Sequence, residues 1–257
     1  MDSAVAHPNY APTVRFVLAA LLVAAAVAGH ASAAQAYTCF DVQATIVGTS
    51  GNDRIHGTSG RDVIVGLGGN DTVWGLDDSD RICGNGGSDT LIAGPGVDQV
   101  DGGSGRNVLK GGSGDDRLYG GASVDSFWPG AGNDVVDGRG TSGGEWVHYE
   151  RAAGPVDVNL SIGHATGEGT DILVAILDVV GSRFGDVVTG NAGDNVLKLG
   201  EGNDRGLGKG GNDRILGGSG ADDLDGGPGA NFNDGGDGND RCLNPDPVSG
   251  ALHCESP

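Results

Sequence analysis

The chain has 257 residues, a formal net charge of −20, 52 glycines and only 5% aromatic side chains. That composition excludes a conventional core of large side chains, and the acidic balance excludes a nucleic-acid partner, which would need a basic face. Glycine-rich acidic chains usually cannot bury enough apolar surface to fold, so order here has to come from pattern.

Residues 1–36 read as a signal peptide. Arg15 precedes the apolar run FVLAALLVAAAVAG from Phe16 to Gly29, and small residues follow. Two A-x-A sites place the cleavage after Ala33 or after Ala36. The run is shorter than the roughly 20 residues of a spanning helix. A secreted, extracellular protein with no stable membrane span after cleavage is therefore expected, with residues 37–47 as an N-terminal cap strand.

From Gly48 the chain repeats every nine residues, as GTSGNDRIH, GTSGRDVIV and GLGGNDTVW. Ten blocks fill 48–137 and seven more fill 181–243. The first and fourth places are each Gly in fourteen of the seventeen blocks, the fourth-place exceptions being Asp78, Ser123 and Phe184. The sixth place is Asp except at Asn107, Asn195 and Asn231, and the eighth is branched or aromatic except at Gly206, Asn233 and Cys242. Glycine permits positive φ and close backbone approach, so six residues form a tight loop. Places seven to nine form a short strand with only the eighth side chain inward. Two blocks then make one coil of an all-β parallel solenoid, with coils stacked at about 4.8 Å.

Residues 138–180 break the period. PVDVNL and ILVAILDVV read as strands between glycine-rich turns, a β insertion expected to extend or cap the sheet between the two arrays. Residues 244–257 read as a tail capping the last open edge. Cys242 with Cys254 is the favoured disulfide and Cys39 with Cys83 the second. A zinc site on Cys242, His253 and Cys254 is the competing reading.

Stacking turns the sixth places into columns of acids about one strand spacing apart, which repel unless a cation lies between them. In the first array one column holds Asp53, Asp71, Asp89, Asn107 and Asp125, the other Asp62, Asp80, Asp98, Asp116 and Asp134. In the second array Asp186, Asp204, Asp222 and Asp240 form one column. Asn195, Asp213 and Asn231 form the other, expected to bind more weakly. Carboxylates beside loop carbonyls suit calcium better than magnesium, and loops without thiolate or imidazole do not suit zinc or copper.

Blocks such as GLGGNDTVW, GGSGDDRLY, GKGGNDRIL and GGDGNDRCL resemble the RTX, or hemolysin-type, calcium-binding nonapeptide GGxGxDxUx. The resemblance implies a parallel β-roll that holds several Ca2+ ions, on the order of ten, between neighbouring coils and folds as they bind.

No catalytic constellation accompanies the repeats. The G-x-G-x-x-G match at Gly206 to Gly211 lies inside the nonapeptide frame, without the βαβ unit that a dinucleotide site needs. His148, His164, Asp157 and Glu150 come with no nucleophile elbow or metalloprotease helix. A non-enzymatic calcium-binding roll is the expectation. The alternative is an adhesin or hydrolase-like protein that uses the insertion or exposed strand faces, where Trp74, Tyr119 and Trp128 could stack on a glycan. Arginines at six seventh places (Arg54, Arg81, Arg117, Arg205, Arg214, Arg241) are expected to offset the acidic loops.

Overall fold

The computed structural model describes residues 16–17, 37–140, 144–244 and 251–255. Both expected cleavage points lie outside the described residues. Within the expected leader only Phe16–Val17 is described, a short strand parallel to Arg54–His56.

The protein is an all-β parallel solenoid, and among the described residues it has no helix. Two sheets face each other. One has twelve strands, with Arg54–His56, Thr72–Trp74 and Thr90–Pro95 as successive members; the other has thirteen, including Ile46–Val47, Val63–Gly68 and Arg81–Gly86. The register shifts by one coil of eighteen residues, as in Ile55↔Val73 and Ile82↔Val100.

The core is the eighth-place column seen from both sheets. Ile55, Ile64, Val73, Ile82, Leu91, Leu109, Leu118 and Phe127 are completely buried, while most of their seventh- and ninth-place neighbours are at least partly exposed, as in Thr72–Trp74. Each such side chain contributes on the order of 1.5–3 kcal/mol. Gly206 leaves a gap in this column. A Cβ there would lie 3.0 Å from Leu199 Cδ1, so Leu199, which replaces a first-place glycine, fills the missing volume. Asn233 is also fully buried, and its Nδ2 donates to the Leu243 carbonyl at 2.9 Å.

The expected single cap strand is instead a hairpin, Thr38–Cys39 with Val42–Gln43, followed by Ile46–Val47. Phe40 and Asp41 turn it at positive φ. Its reason lies in the block GTSGRDVIV, whose outward Val63 and Val65 would otherwise be bare. Cys39, Tyr37 and Phe40 cover them in a small second cluster. Cys39 bonds to Cys83 and Cys242 to Cys254, each with Cα atoms 5.7 Å apart. The zinc alternative is thereby corrected, since both cysteines it needs are spent in a disulfide.

The insertion continues both sheets. Trp146–His148 and Asp178–Val180 stack in the twelve-stranded sheet between Ser126–Ala131 and Val196–Glu201. In the other sheet the chain overshoots to Asp157–Asn159, beside Val187–Thr189. It then returns antiparallel through His164–Thr166 and Thr170–Val174 to pair with Val135–Asp137. The run ILVAILDVV therefore splits between the two sheets, turning at Ala175, whose φ is 55°. At the other end Ala251–Leu252 pairs with Asn233 and Asp234, so the tail adds one more strand over the last coil.

Candidate metal-binding columns

One block shows how the loop works. In Gly66–Trp74 the chain takes positive φ at Leu67 (79°) and Gly69 (99°), then enters the strand after Asp71. Asp71 points inward and is 2% exposed. Its Oδ1 accepts the backbone N–H of Asp53 on the preceding coil at 2.8 Å, and its own N–H donates to Asp89 Oδ1 on the next, also at 2.8 Å. Apart from Asp53, Asp62 and Asn195, which open the arrays, each sixth-place side chain is pinned in this way through one oxygen to the coil before it.

The other oxygen is the anomaly. Oδ2 of Asp71, Asp80, Asp89, Asp98, Asp116, Asp125, Asp134, Asp204, Asp213, Asp222 and Asp240 is buried with no hydrogen-bond partner among the described residues. A buried carboxylate oxygen without a donor is costly. The expected arginine offset does not reach it. Arg241 pairs with Asp223 at 2.9 Å and Arg81 with Gln99 at 3.1 Å, because seventh-place side chains project outward from the strands. Among the described residues no ion pair involves a sixth-place acid.

The first-place glycine faces this oxygen. A Cβ on Gly66 would lie 2.5 Å from Asp71 Oδ2 and 3.0 Å from the Gly84 carbonyl oxygen on the next coil. On Gly84 a Cβ would lie 2.7 Å from the Gly102 carbonyl. The missing side chain leaves a space framed by a bare carboxylate oxygen and a backbone carbonyl, repeated along the roll. All-oxygen donors carrying negative charge fit a hard divalent cation. No three His, Cys, Asp or Glu side chains cluster for a metal among the described residues, so backbone carbonyls would have to complete the donor set.

Burial drives the electrostatics. It pushes the carboxyl of Asp116 up to about 8, those of Asp125, Asp134 and Asp204 to about 7, and those of Asp71, Asp80, Asp98 and Asp213 to about 6. The backbone N–H from the preceding coil opposes that shift only in part.

The structure joins the four sequence columns into two. On the side leading into the twelve-stranded sheet, Asp53, Asp71, Asp89, Asn107 and Asp125 are followed by Glu145, whose Oε2 accepts the Asp125 N–H at 2.6 Å. Leu177 interrupts the line, and Asn195, Asp213 and Asn231 complete it. On the opposite side Asp62, Asp80, Asp98, Asp116 and Asp134 lead to Asp171. After Val156 come Asp186, Asp204, Asp222 and Asp240, closed by Glu255 from the tail.

Glu145, Asp171 and Glu255 escape the nonapeptide frame. Glu145-Trp-Val-His and Asp171-Ile-Leu-Val do keep its last four places, an acid followed by x-U-x. Glu145 is fully buried, and its Oε1 has no partner. Asp171 differs, because Tyr149 donates its hydroxyl to Oδ2 at 2.8 Å.

The amides differ as well. Asn107 accepts the Asp89 N–H through Oδ1 at 2.9 Å and donates from Nδ2 to the Gly105 carbonyl at 3.1 Å. Asn195 Nδ2 donates to the Leu177 carbonyl at 2.7 Å, and Asn231 Nδ2 to the Gly227 carbonyl at 2.8 Å. Each therefore turns an N–H2 donor toward carbonyl oxygens, where its aspartate counterparts hold a bare acceptor.

The half-buried ninth-place aromatics pack on their neighbours. Trp128 stacks on His148 at 3.9 Å with Lys110 Nζ 5.1 Å from its ring, Trp74 stacks on His56 at 4.4 Å, and Arg139 lies 4.0 Å over Tyr119.

The family described as RTX calcium-binding nonapeptide repeat (4 copies) matches residues 47–82, 74–109, 101–136, 180–215 and 207–242. No curated protein matches the chain.

Proposed function

Because the chain belongs to the RTX calcium-binding nonapeptide repeat family, we propose that it is an exported, non-enzymatic β-roll whose inner columns take up calcium and whose fold depends on that uptake. The reading is carried by one observation: eleven sixth-place aspartates bury an oxygen that nothing among the described residues satisfies. Asp71, Asp80, Asp89, Asp98, Asp116, Asp125, Asp134, Asp204, Asp213, Asp222 and Asp240 would hold the ions, and Glu145 adds a further carboxylate at the seam. Calcium would supply the positive charge that these oxygens lack and would tie one coil to the next.

This chain's residues divide the remaining work. In eight of these eleven blocks a first-place glycine keeps the space open beside the next coil's carbonyl, whereas Ala93, Pro129 and Leu199 stand at the first place before Asp98, Asp134 and Asp204. Oδ1 holds each carboxylate in place through the preceding backbone N–H. Without a cation the ionised columns repel and carry a desolvation cost, so ion uptake and folding are one equilibrium. The Arg15–Gly29 segment and the small residues after it support export, and two disulfides fit an oxidising, calcium-rich exterior. Circular dichroism of the mature protein, with calcium and after chelation at pH 8, tests the reading. Sheet signal that depends on calcium supports it; identical spectra refute it.

A further inference from the structure

The second residue of a block takes two forms. In thirteen blocks it is Gly, Leu, Asn or Lys at positive φ, for example Leu67 at 79°, Leu76 at 84°, Asn85 at 69° and Lys209 at 79°. In the other four it is Thr49, Thr58, Ser182 or Asn191, none of which has positive φ. A β-branched threonine is strongly disfavoured in the left-handed region, so the side chain decides the geometry at Thr49 and Thr58, while asparagine takes either form, as Asn85 and Asn191 show. These four blocks are the first two of each array.

The backbone change redirects an N–H. Thr49, Thr58 and Ser182 donate their backbone N–H to Oδ2 of Asp53, Asp62 and Asp186 at 2.5, 2.6 and 2.5 Å. Their hydroxyls follow: Thr49 Oγ1 and Thr58 Oγ1 donate to the same Oδ2 atoms at 2.9 Å, and Ser182 Oγ donates to Asp186 Oδ1 at 2.7 Å. Asn191 donates its N–H to Asn195 Oδ1 at 2.8 Å. Asp53, Asp62 and Asp186 are the three sixth-place aspartates with no unpartnered buried oxygen. The division by second residue and the division by satisfied oxygen coincide.

We propose that the backbone conformation of the second residue of each block, which threonine and serine turn away from the left-handed region, determines whether its carboxylate takes a cation. A left-handed residue leaves Oδ2 bare, whereas a threonine or serine closes it with its own N–H and hydroxyl. The proposal rests on the calcium reading and subdivides it. The opening coil of each array is then held by hydrogen bonds alone, a metal-independent platform on which the calcium-dependent coils stack. Asp53, Asp62 and Asp186 become acceptors in that platform and not ion ligands.

The test compares neighbours in one column of the full mature chain, with disulfides intact. Calcium stoichiometry is counted by calorimetry and native mass spectrometry after chelation. Asp62→Asn keeps the wild-type count, whereas Asp80→Asn loses about one ion, as removal of one charged oxygen ligand implies. Leu67→Thr, which installs the closing residue in an open block, also loses about one ion. If Asp80→Asn does not fold, Asp186→Asn and Asp204→Asn make the same comparison in the second array. Equal losses in Asp62→Asn and Asp80→Asn overturn the proposal while leaving the calcium reading intact. A wild type that takes up no calcium overturns both, and is recognised before any variant is measured.

Discussion

The two sides of the roll share a backbone and differ by single atoms. Loops entering the thirteen-stranded sheet present carboxylates at every sixth place, from Asp62 to Asp134 and from Asp186 to Asp240. Loops entering the twelve-stranded sheet contain all three amides, Asn107, Asn195 and Asn231, together with the apolar Leu177 at the seam. Both sides keep the hydrogen bond from one coil to the next, because an amide oxygen accepts an N–H as a carboxylate oxygen does: 2.9 Å onto Asn107 and 2.8 Å onto Asn231. Only the second atom changes, from a bare oxygen to an N–H2 that donates to a carbonyl. Coil geometry and the demand for a partner at that atom are thus separable, the first set by glycine and the inward apolar residue, the second by the side chain at the sixth place.

The largest expected effect removes the distinction between the sides altogether. Without calcium, carboxyls raised by burial favour the protonated fold. The unfolded chain ionises near 3.8, whereas Asp71 and Asp80 in the fold do so at about 6 and Asp116 at about 8. Stability of the chelated protein is therefore fully present below pH 4 and is lost as pH rises toward 8. Sheet signal in chelator is expected to grow on acidification; a signal strongest at pH 8 contradicts this. Calcium at pH 8 should restore what acid restores.

Next in size are substitutions that strike both sides alike. Leu109→Ala and Leu118→Ala, one from each sheet, should each cost about 2–5 kcal/mol in calcium-loaded urea unfolding, since both side chains are fully buried. A marked inequality would show that the two sheets do not share one core.

Exchanging the side-specific atoms comes third. Asp116→Asn on the acidic side should weaken the calcium-loaded protein by about 1–3 kcal/mol, the scale for a lost charged partner. It should stabilise the chelated protein at pH 8 by removing a buried charge. Asn107→Asp should do the reverse in chelator. Opposite signs in calcium and in chelator are the signature to seek, and matching signs would break the comparison. The smallest effect belongs to the seam: Tyr149→Phe strips Asp171 Oδ2 of its hydroxyl donor and should cost about 0.5–1.5 kcal/mol by thermal melting.

Much of this was legible in the sequence because the period is physical. Glycine, acid and apolar residue recur where the coil needs a turn, an inward oxygen and a core contact, so the roll and its columns follow from spacing alone. The seam was not legible to the same degree. Once the glycine frame lapses, nothing local says that Asp157–Asn159 overshoots and returns antiparallel. Glu145 and Asp171 keep only the acid and its x-U-x strand as signal. The exchange at Leu199 and Gly206 reads as two faults within one block, and only packing shows that the first repairs the second. Thr49, Thr58 and Ser182 look like ordinary loop residues until their N–H groups are seen on the carboxylates.

The most direct test of the central claim is a calcium titration of the chelated protein, residues 37–257, at pH 8, with far-ultraviolet circular dichroism and calorimetric heat recorded together. Buried, unpartnered carboxylate oxygens predict that sheet signal and ion uptake rise in step and saturate with several ions per chain. A full sheet spectrum before any calcium is added, or heat of binding with no change in the spectrum, would contradict it.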